Sequence, residues 1–423
     1  MPRTTTPSPA DQQLIDHAQR HGFTVSAKQL ETWRRAGLLP ANASSSLGRG
    51  RGSTSRAAPE AFELVVALAR LAARGRRPGD LALLLFAERL PVPEATVRAA
   101  LTASVDRVVL SVEEQPDQEG DDATAGGQHE DAEQDMEEHA QRTADRAVAA
   151  GLAITLVPAR ARRIDERIAR RLRDAGVEWP PPELADLDRT PDPAPLSLNE
   201  ATTAAVTTTL RGGAAVTPQG LGDFYRALQP GMANPIASLV EYTVQDAPDA
   251  AASIFGPDGG FALVPEGDIR DTFRLLADTT PLGDLHAAWQ AAQAVRDWAL
   301  DLCERVEADL DTAAIGDAVS EWVHIRWFPS GLHLLEALRD RRWSPADHAN
   351  STLLLLLMRQ ALGSLDEQVP GWQRELMTHP GLIPPPLQGL FTGRNRTQRE
   401  AGERFVASTD EVERAGGAVA DQW

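Results

Sequence analysis

Near the start of the chain, Lys28, Arg34 and Arg35 are interleaved with the polar side chains of Gln29 and Thr32, and Arg49, Arg51 and Arg56 follow in the run GRGRGSTSR from 48 to 56. Cations and hydroxyls of this kind neutralise and hydrogen-bond phosphate oxygens, while glycines let a backbone approach a phosphate closely. The chemistry on offer is contact with a polyanion, not bond-making. Taken alone, an Arg/Gly/Ser run is compositional and equally describes a solvated linker. Its meaning comes from the elements around it.

No other cluster reads as a reaction centre. His324, His333 and His348 stand nine and fifteen residues apart, without the i, i+4 pairing of a helical zinc site, and neither HExxH nor CxxC occurs. They read as surface or half-buried histidines. Glu304, Glu307, Asp309 and Asp311 form the densest acidic group of the C-terminal half but lack the DDxxD spacing of a magnesium-diphosphate site, and read as a solvated face. Cys303 is the single cysteine, which excludes an intramolecular disulfide, a multi-thiolate zinc site and a cysteine-held iron-sulfur cluster. Walker loop, Gly-x-Ser-x-Gly elbow and Rossmann glycine triplet do not occur either. The expectation is a protein that is not an enzyme and has no catalytic residue, metal or cofactor.

Helix start and stop signals define what must position the cations. Residues 1–10, with three Thr and three Pro, read as a disordered start. Asp11 reads as the cap of a first helix that buries Leu14, Ile15 and Ala18 and stops at Gly22. Ser26 caps a second helix, in which Leu30 and Trp33 face inward while Lys28, Gln29, Thr32 and Arg35 face away. Gly37, Leu38, Leu39 and Pro40 close it, and Gly48 to Arg56 reads as a flexible loop. Pro59 then opens an apolar helix with Phe62, Val65, Val66 and Ala69 on one side and Leu64, Leu68 and Leu71 on the other, so it must be buried between partners. Gly75 to Gly79 turns the chain, Asp80 caps LALLLFAERL, and after Pro91 to Pro93 a helix from 94 to 110 closes the unit. A helix, a tight turn, a cationic helix and a basic loop, in that order, are the parts of a winged helix-turn-helix, which holds one helix in a DNA groove and a loop across the phosphates.

The arrangement VSAKQLETWRRAGLLP, a Gly/Arg loop, then Pro59 resembles the DNA-binding domain of the MerR family over about residues 12–100. Leu30 and Trp33 match that family's Leu and second aromatic in TLRYYE..GLL, and Gly37, Leu38 and Leu39 match its closing triplet. Glu31 stands where the family has Arg, Thr32 where it has its first Tyr, and the wing lacks the family's aromatic-containing pattern; Arg34 and Arg35 lie just beyond. The resemblance implies a second helix in the major groove, a wing on the backbone, two helices packed behind, and binding as a homodimer through a helix after the head.

The chain of 423 residues carries a formal charge of −19, distributed unevenly. Residues 1–112 hold 15 Lys and Arg against 9 Asp and Glu, whereas residues 113–138 hold 12 Asp and Glu and no Lys or Arg. A basic head thus carries an acidic body, which argues against a protein coated in nucleic acid over its whole surface. Residues 113–138 have almost no apolar side chains to bury and read as a disordered acidic linker, or, more sharply, as a polyanion competing with DNA for the wing. Residues 139–178 read as a helical connector whose Ile164, Ile168 and Leu172 form a stripe; its segment from Arg160 to Arg173 is a second place for nucleic-acid contact but reads better as an Arg-rich solvated face.

A Pro-rich linker follows at 179–196, then an all-helical domain at 197–392 and a tail at 393–423. The expected helices are 199–211, 217–228, 233–244, 267–278, 282–310, 312–327, 330–341, 345–362 and 364–378, with a hairpin-like spot at 254–267. Trp289, Trp298, Trp322, Trp327 and Trp343 read as core anchors. The longest aliphatic run, Leu353 to Met358, is short of the roughly 18 residues of a membrane span, and no signal peptide opens the chain. The whole reads as a mainly α, cytoplasmic protein. Its DNA-binding set is Lys28, Gln29, Thr32, Arg34, Arg35, Arg49, Arg51 and Arg56, with double-stranded DNA as partner and a body that senses a ligand or binds a protein. The alternative is a scaffold protein whose helix-turn-helix no longer binds DNA.

Overall fold

In the computed structural model of the chain, the described residues are 7–46, 53–72, 76–107, 157–177, 265–312, 316–326, 330–338, 343–368 and 383–391, with single positions between 203 and 217. They are mainly helical, and their only sheet is a two-stranded hairpin. The acidic stretch 113–138, the Pro-rich linker, the tail, the expected helices 217–228 and 233–244 and most of the hairpin-like spot lie outside the described residues.

Helix α1 spans Pro9–Arg20. Its N-cap is Ser8 rather than Asp11: Ser8 Oγ accepts from Asp11 N at 3.1 Å, and Pro9 takes the first turn, where a missing N–H leaves nothing unpaired. Pro9 and the fully buried Ala10 therefore belong to the fold and not to a disordered start. Gly22, at φ +83°, ends the helix. Helix α2, Ala27–Arg35, opens with a capping box in which Ser26 Oγ accepts from Gln29 N at 3.2 Å and Gln29 Oε1 accepts from Ser26 N at 2.8 Å. Gly37 stops it at φ +70°, and a side chain there would also meet Thr96 Oγ1 at 2.7 Å.

Strands β1, Ala43–Ser46, and β2, Ser53–Arg56, pair antiparallel with Ala43 opposite Arg56 and Ser46 opposite Ser53. The expected loop is thus in part a hairpin, and β2 lies beside α1. Three helices follow: α3, Glu60–Leu71; α4, Pro78–Ala87; and α5, Glu94–Val105. Asp80 sits inside the first turn of α4 instead of capping it, accepting from Arg77 N at 3.3 Å and from Arg107 at 2.7 Å. Pro78 starts the helix two residues before that carboxylate.

The remaining elements are α6, Ala159–Asp174; α7, Ile269–Thr279; α8, Leu282–Asp311; α9, Asp317–Arg326; α10, Ser330–Leu338; α11, Pro345–Gln368; and α12 over 385–391. Helix α11 continues through Gly363, where the sequence predicts a break between 345–362 and 364–378. A glycine inside a helix weakens it by only about 1 kcal/mol, which the packed face upstream offsets.

Helix α8 has 30 residues and so a length of about 45 Å, enough to pass through two cores. At its start, Leu285 and Trp289 join Leu85 and Phe86 of α4, Leu101 of α5 and Leu353 of α11. Further along, Val295, Ala299, Cys303 and Val306 join Ile164 and Ile168 of α6, Trp322 of α9 and Leu334 of α10. The described part of the head, up to Arg107, is not packed by itself. Its helices α4 and α5 share a core with α7, α8 and α11. Polar contacts cross the same seam: Arg98 donates to Ala277 O at 2.6 Å and Thr280 O at 3.0 Å, Arg274 pairs with Asp106 at 2.8 Å, and Asn350 Nδ2 donates to Ser104 O at 3.3 Å. Among the described residues, no helix is long and apolar enough to cross a membrane.

Candidate nucleic-acid interface

Helix α2 is anchored from below by Leu30, fully buried, and Trp33, nearly so. That anchoring fixes which face looks outward: Lys28, Glu31, Thr32 and Arg35, spaced i, i+3, i+4 and i+7, are all exposed. Thr32 Oγ1 donates to Lys28 O at 2.9 Å, which turns the hydroxyl back onto the helix. Arg35 pairs with Glu31 at 2.7 Å, with both side chains about seven-tenths exposed. An ion pair so open to water is worth little, and a guanidinium with five N–H donors retains several for another acceptor.

Two of the expected contact residues are used inside the head. Gln29 is exposed, but its carbonyl oxygen accepts from Ser26 N at 2.8 Å and from Ser26 Oγ at 3.0 Å, which makes it the partner of the cap. Arg34 is half-buried and donates to Asp11 Oδ1 at 2.5 Å, Asn42 Oδ1 at 3.0 Å and Pro40 O at 3.4 Å. Asn42 Nδ2 in turn donates to Asp11 Oδ1 at 3.1 Å. The cluster ties α1, the end of α2 and the entry to β1 together. Burial alone would raise the Asp11 carboxyl, but hydrogen bonds from Ser8, Asn42 and Arg34 and the Arg34 charge hold it below its ordinary value. Arg34 is therefore a positioning residue that aligns α2 with the hairpin.

Arg56 ends β2 and is exposed, while Arg49 and Arg51 lie outside the described residues. The structure places Lys28, Thr32 and Arg35 on the outward side of α2 and Arg56 exposed at the end of β2, a strand that lies beside α1. Asp11 and Asn42, which sequence reasoning did not assign to the site, join Arg34 across 23 and 8 residues, and no local pattern announces such a pairing.

The second basic segment, on α6, is divided: Arg162, Arg163, Arg170 and Arg173 are exposed, while Arg160, Arg167 and Arg171 turn to the end of α8. Arg160 forms two hydrogen bonds with Glu307, at 3.0 and 2.7 Å, Arg167 pairs with Asp311 at 2.6 Å, and Arg171 donates to Thr312 O. Glu307 and Asp311, read from sequence as part of a solvated face, are thus partners of α6. Asp309 accepts from Ala318 N at 3.0 Å at the start of α9. Asp165, on the buried side of α6, accepts from Trp322 Nε1 at 2.8 Å and Arg326 Nε at 3.1 Å.

The three histidines do not converge. His324 is exposed, whereas His333 and His348 are buried, more deeply than the surface or half-buried placement expected. His348 stacks on Trp289 with ring centroids 4.0 Å apart, and its Nε2 is 2.9 Å from Trp289 O. His333, Ser351, Trp343 and Ala292 border a cavity of about 20 Å³, room for one water molecule rather than an organic ligand. No group of three or more His, Cys, Asp or Glu able to hold a metal ion occurs among the described residues.

Compared with known proteins, the chain matches no family model, no curated protein and no solved structure.

Proposed function

We propose that the protein is a DNA-binding transcriptional regulator whose head works as a MerR-like winged helix-turn-helix: α2 enters the major groove and the β1–β2 hairpin lies along the phosphates. The observation that carries this reading is the outward stripe of α2, with Lys28, Thr32 and Arg35 exposed on a helix held by Leu30 and Trp33, in a head whose hairpin ends in the exposed Arg56. Lys28, Arg35 and Arg56, with Arg49 and Arg51 from the stretch of sequence between the two strands, supply the phosphate contacts. Arg34 and the carbonyl of Gln29 drop out of the contact set because the head itself uses them.

The body acts as a rigid backing for the head, and its role is to relay the binding of a ligand or a protein partner through the shared core. One cysteine and no disulfide suit a cytoplasmic setting. Selection of bound duplexes from a random pool tests the reading. The full chain is the right reagent, because α4 and α5 bury their faces against α7, α8 and α11. Enrichment of a common sequence is the expected result, and no retained duplex at low salt contradicts it.

A second reading is favoured by one contact. Glu31 sits on the outward stripe and engages Arg35, which would suit a helix-turn-helix kept as a scaffold without DNA affinity. Glu31→Gln separates the two: it strengthens duplex binding in a regulator and creates none in a scaffold.

A further inference from the structure

Seven of the 16 residues of α6 are arginines, in a chain whose 61 Asp and Glu outnumber its 42 Lys and Arg. Arg160, Arg167 and Arg171 hold the helix to the end of α8. The other four, Arg162, Arg163, Arg170 and Arg173, are exposed, and among the described residues none of them has a hydrogen bond or an ion pair. At about 100° of turn per residue they share one arc, on the side away from the buried Ile164, Ile168 and Leu172, and from Arg162 to Arg173 that face is about 17 Å long. The rest of the body does not leave its arginines this way. Arg270, Arg274, Arg296, Arg305, Arg326 and Arg359, on α7 to α11, are each engaged by a carboxylate or a carbonyl. On α6 itself Glu166 stands four residues from both Arg162 and Arg170, and Asp174 four from Arg170, a spacing that commonly forms ion pairs, yet these pairs are not made. The nearest acidic neighbour across the packing is Glu307, held below its ordinary value first by its hydrogen bond with Arg160 and also by the charges of Arg160, Arg163 and Arg167.

Four guanidiniums with all their donors turned outward fit an anionic partner. The other exposed positions of the arc are Ala159, Glu166 and Asp174, so the face has no apolar side chain larger than alanine. A protein partner would need an aromatic or aliphatic anchor there, whereas phosphate oxygens need only the planar fork of an arginine. The head meets α8 at Leu285 and Trp289, and α6 meets it near Glu307. About 27 Å of helix separates Trp289 from Glu307, which sets the α6 face apart from the bases under α2. We infer that the outward face of α6 is a second, sequence-independent phosphate-binding surface that takes duplex outside the bases read by the head, either the flank of the same DNA or a second duplex. Glu166, in the middle of the arc, opposes that binding and limits its strength. The inference rests on the DNA-binding reading for the identity of the polyanion.

The test uses the full chain and two forms of a selected duplex, one trimmed to the selected bases and one with about 20 further base pairs on each side, roughly 70 Å of flank at 3.4 Å per pair. On the trimmed duplex the salt slope is that of the head. The longer duplex is expected to bind tighter with a log-log slope steeper by about two, the four arginines being partly offset by Glu166 and Asp174. Arg162→Gln, Arg163→Gln, Arg170→Gln and Arg173→Gln together are expected to return it to the trimmed value without moving the urea midpoint, and Glu166→Gln to tighten the longer duplex by about two- to threefold. Phenylglyoxal, which modifies exposed guanidiniums, is expected to label the four arginines less when the longer duplex is bound. Two trimmed duplexes per chain, with the same arginines protected, support the inference and make a second duplex the source. One duplex per chain, with equal slopes on both duplexes and in the quadruple variant, overturns it and leaves the regulator reading standing. Protection of the four arginines by polyglutamate but not by duplex assigns the face to an acidic protein and overturns it as well. If Lys28→Ala with Arg35→Ala leaves duplex binding untouched while the quadruple variant abolishes it, the regulator reading fails and this surface stands. No duplex binding by any version removes both.

Discussion

Arg34 and Arg35 are neighbours in sequence and opposites in use. Arg34 is held by Asp11 and Asn42 while Arg35 stands in water on the stripe with Lys28. Arg34→Ala is accordingly expected to lower stability by about 1–3 kcal/mol, read as a shift in the urea midpoint, because Asp11 and Asn42 lose a partly buried charged partner. Lys28→Ala and Arg35→Ala are expected to leave the midpoint within about 0.5 kcal/mol and to weaken every duplex, lowering the salt slope by about one each. The sequence makes the stripe legible, since Leu30 and Trp33 fix the inward face by spacing. It hides the fate of Arg34, because Asp11 and Asn42 reach it only once α1 and the hairpin are folded.

Buried histidines set the acid limit of the body. Desolvation pushes His333 down to about 4, and it also lowers His348, where the hydrogen bond with Trp289 O acts the other way and Arg296 adds to the lowering. Above pH 6.5 both rings are neutral in folded and unfolded chains and stability is unaffected. As pH falls from about 6.5 toward 4, the unfolded chain takes up a proton that folded His333 refuses, so stability drops by about 1.4 kcal/mol per pH unit, and His348 adds a loss of the same sign. His333→Leu is expected to flatten that dependence in urea titrations at pH 7.5, 6 and 5, and an unchanged dependence would assign it to other groups.

At the scale of elements, the sequence locates helices better than their ends. Ser8 and not Asp11 caps α1, and Asp80 lies inside α4, because a carboxylate in a first turn and one at the cap leave the same local pattern. The hairpin was legible only as a loop: ASSS and STSR show no apolar alternation, and their pairing rests on the backbone ladder. On α6 the periodicity of Ile164, Ile168 and Leu172 predicts the buried stripe that the structure has. What it could not show is that Arg160 and Arg167, beside the stripe, meet carboxylates at the end of α8. The Asp165 junction gives the element-scale prediction. Asp165→Ala removes the acceptor of Trp322 Nε1 and one acceptor of Arg326, and is expected to lower stability by about 2 kcal/mol, with loss of hydrogen-exchange protection confined to α6 and α9.

The whole molecule is organised by α8 and α11, which run from the core of the head into the core of the body. A boundary at residue 112 is a fair reading of charge, since the chain turns from basic to strongly acidic there. Packing follows apolar surface instead. LALLLFA in α4 is apolar nearly all round, and a helix of that kind needs partners on more than one side. Neighbouring α3 and α5 cover part of it, and the rest of the cover comes from α8 and α11, too distant in sequence for a periodicity argument to pair them. Leu353→Ala, in the fully buried stretch of α11, is therefore expected to lower stability by about 2–5 kcal/mol and to speed hydrogen exchange in α5 and α8 together. Exchange rising in α8 alone would mean that head and body unfold independently.

The central claim is that the α2 stripe and the hairpin meet phosphate. Duplex binding by the full chain, measured as affinity against salt concentration, tests it most directly. With Lys28, Arg35, Arg49, Arg51 and Arg56 as the contacts and Arg34 excluded, about four to five phosphates are neutralised, and the log-log slope is expected near −4. Lys28→Ala with Arg35→Ala should bring it to about −2. No duplex binding at low salt, or a slope that the double substitution leaves unchanged, would contradict the account.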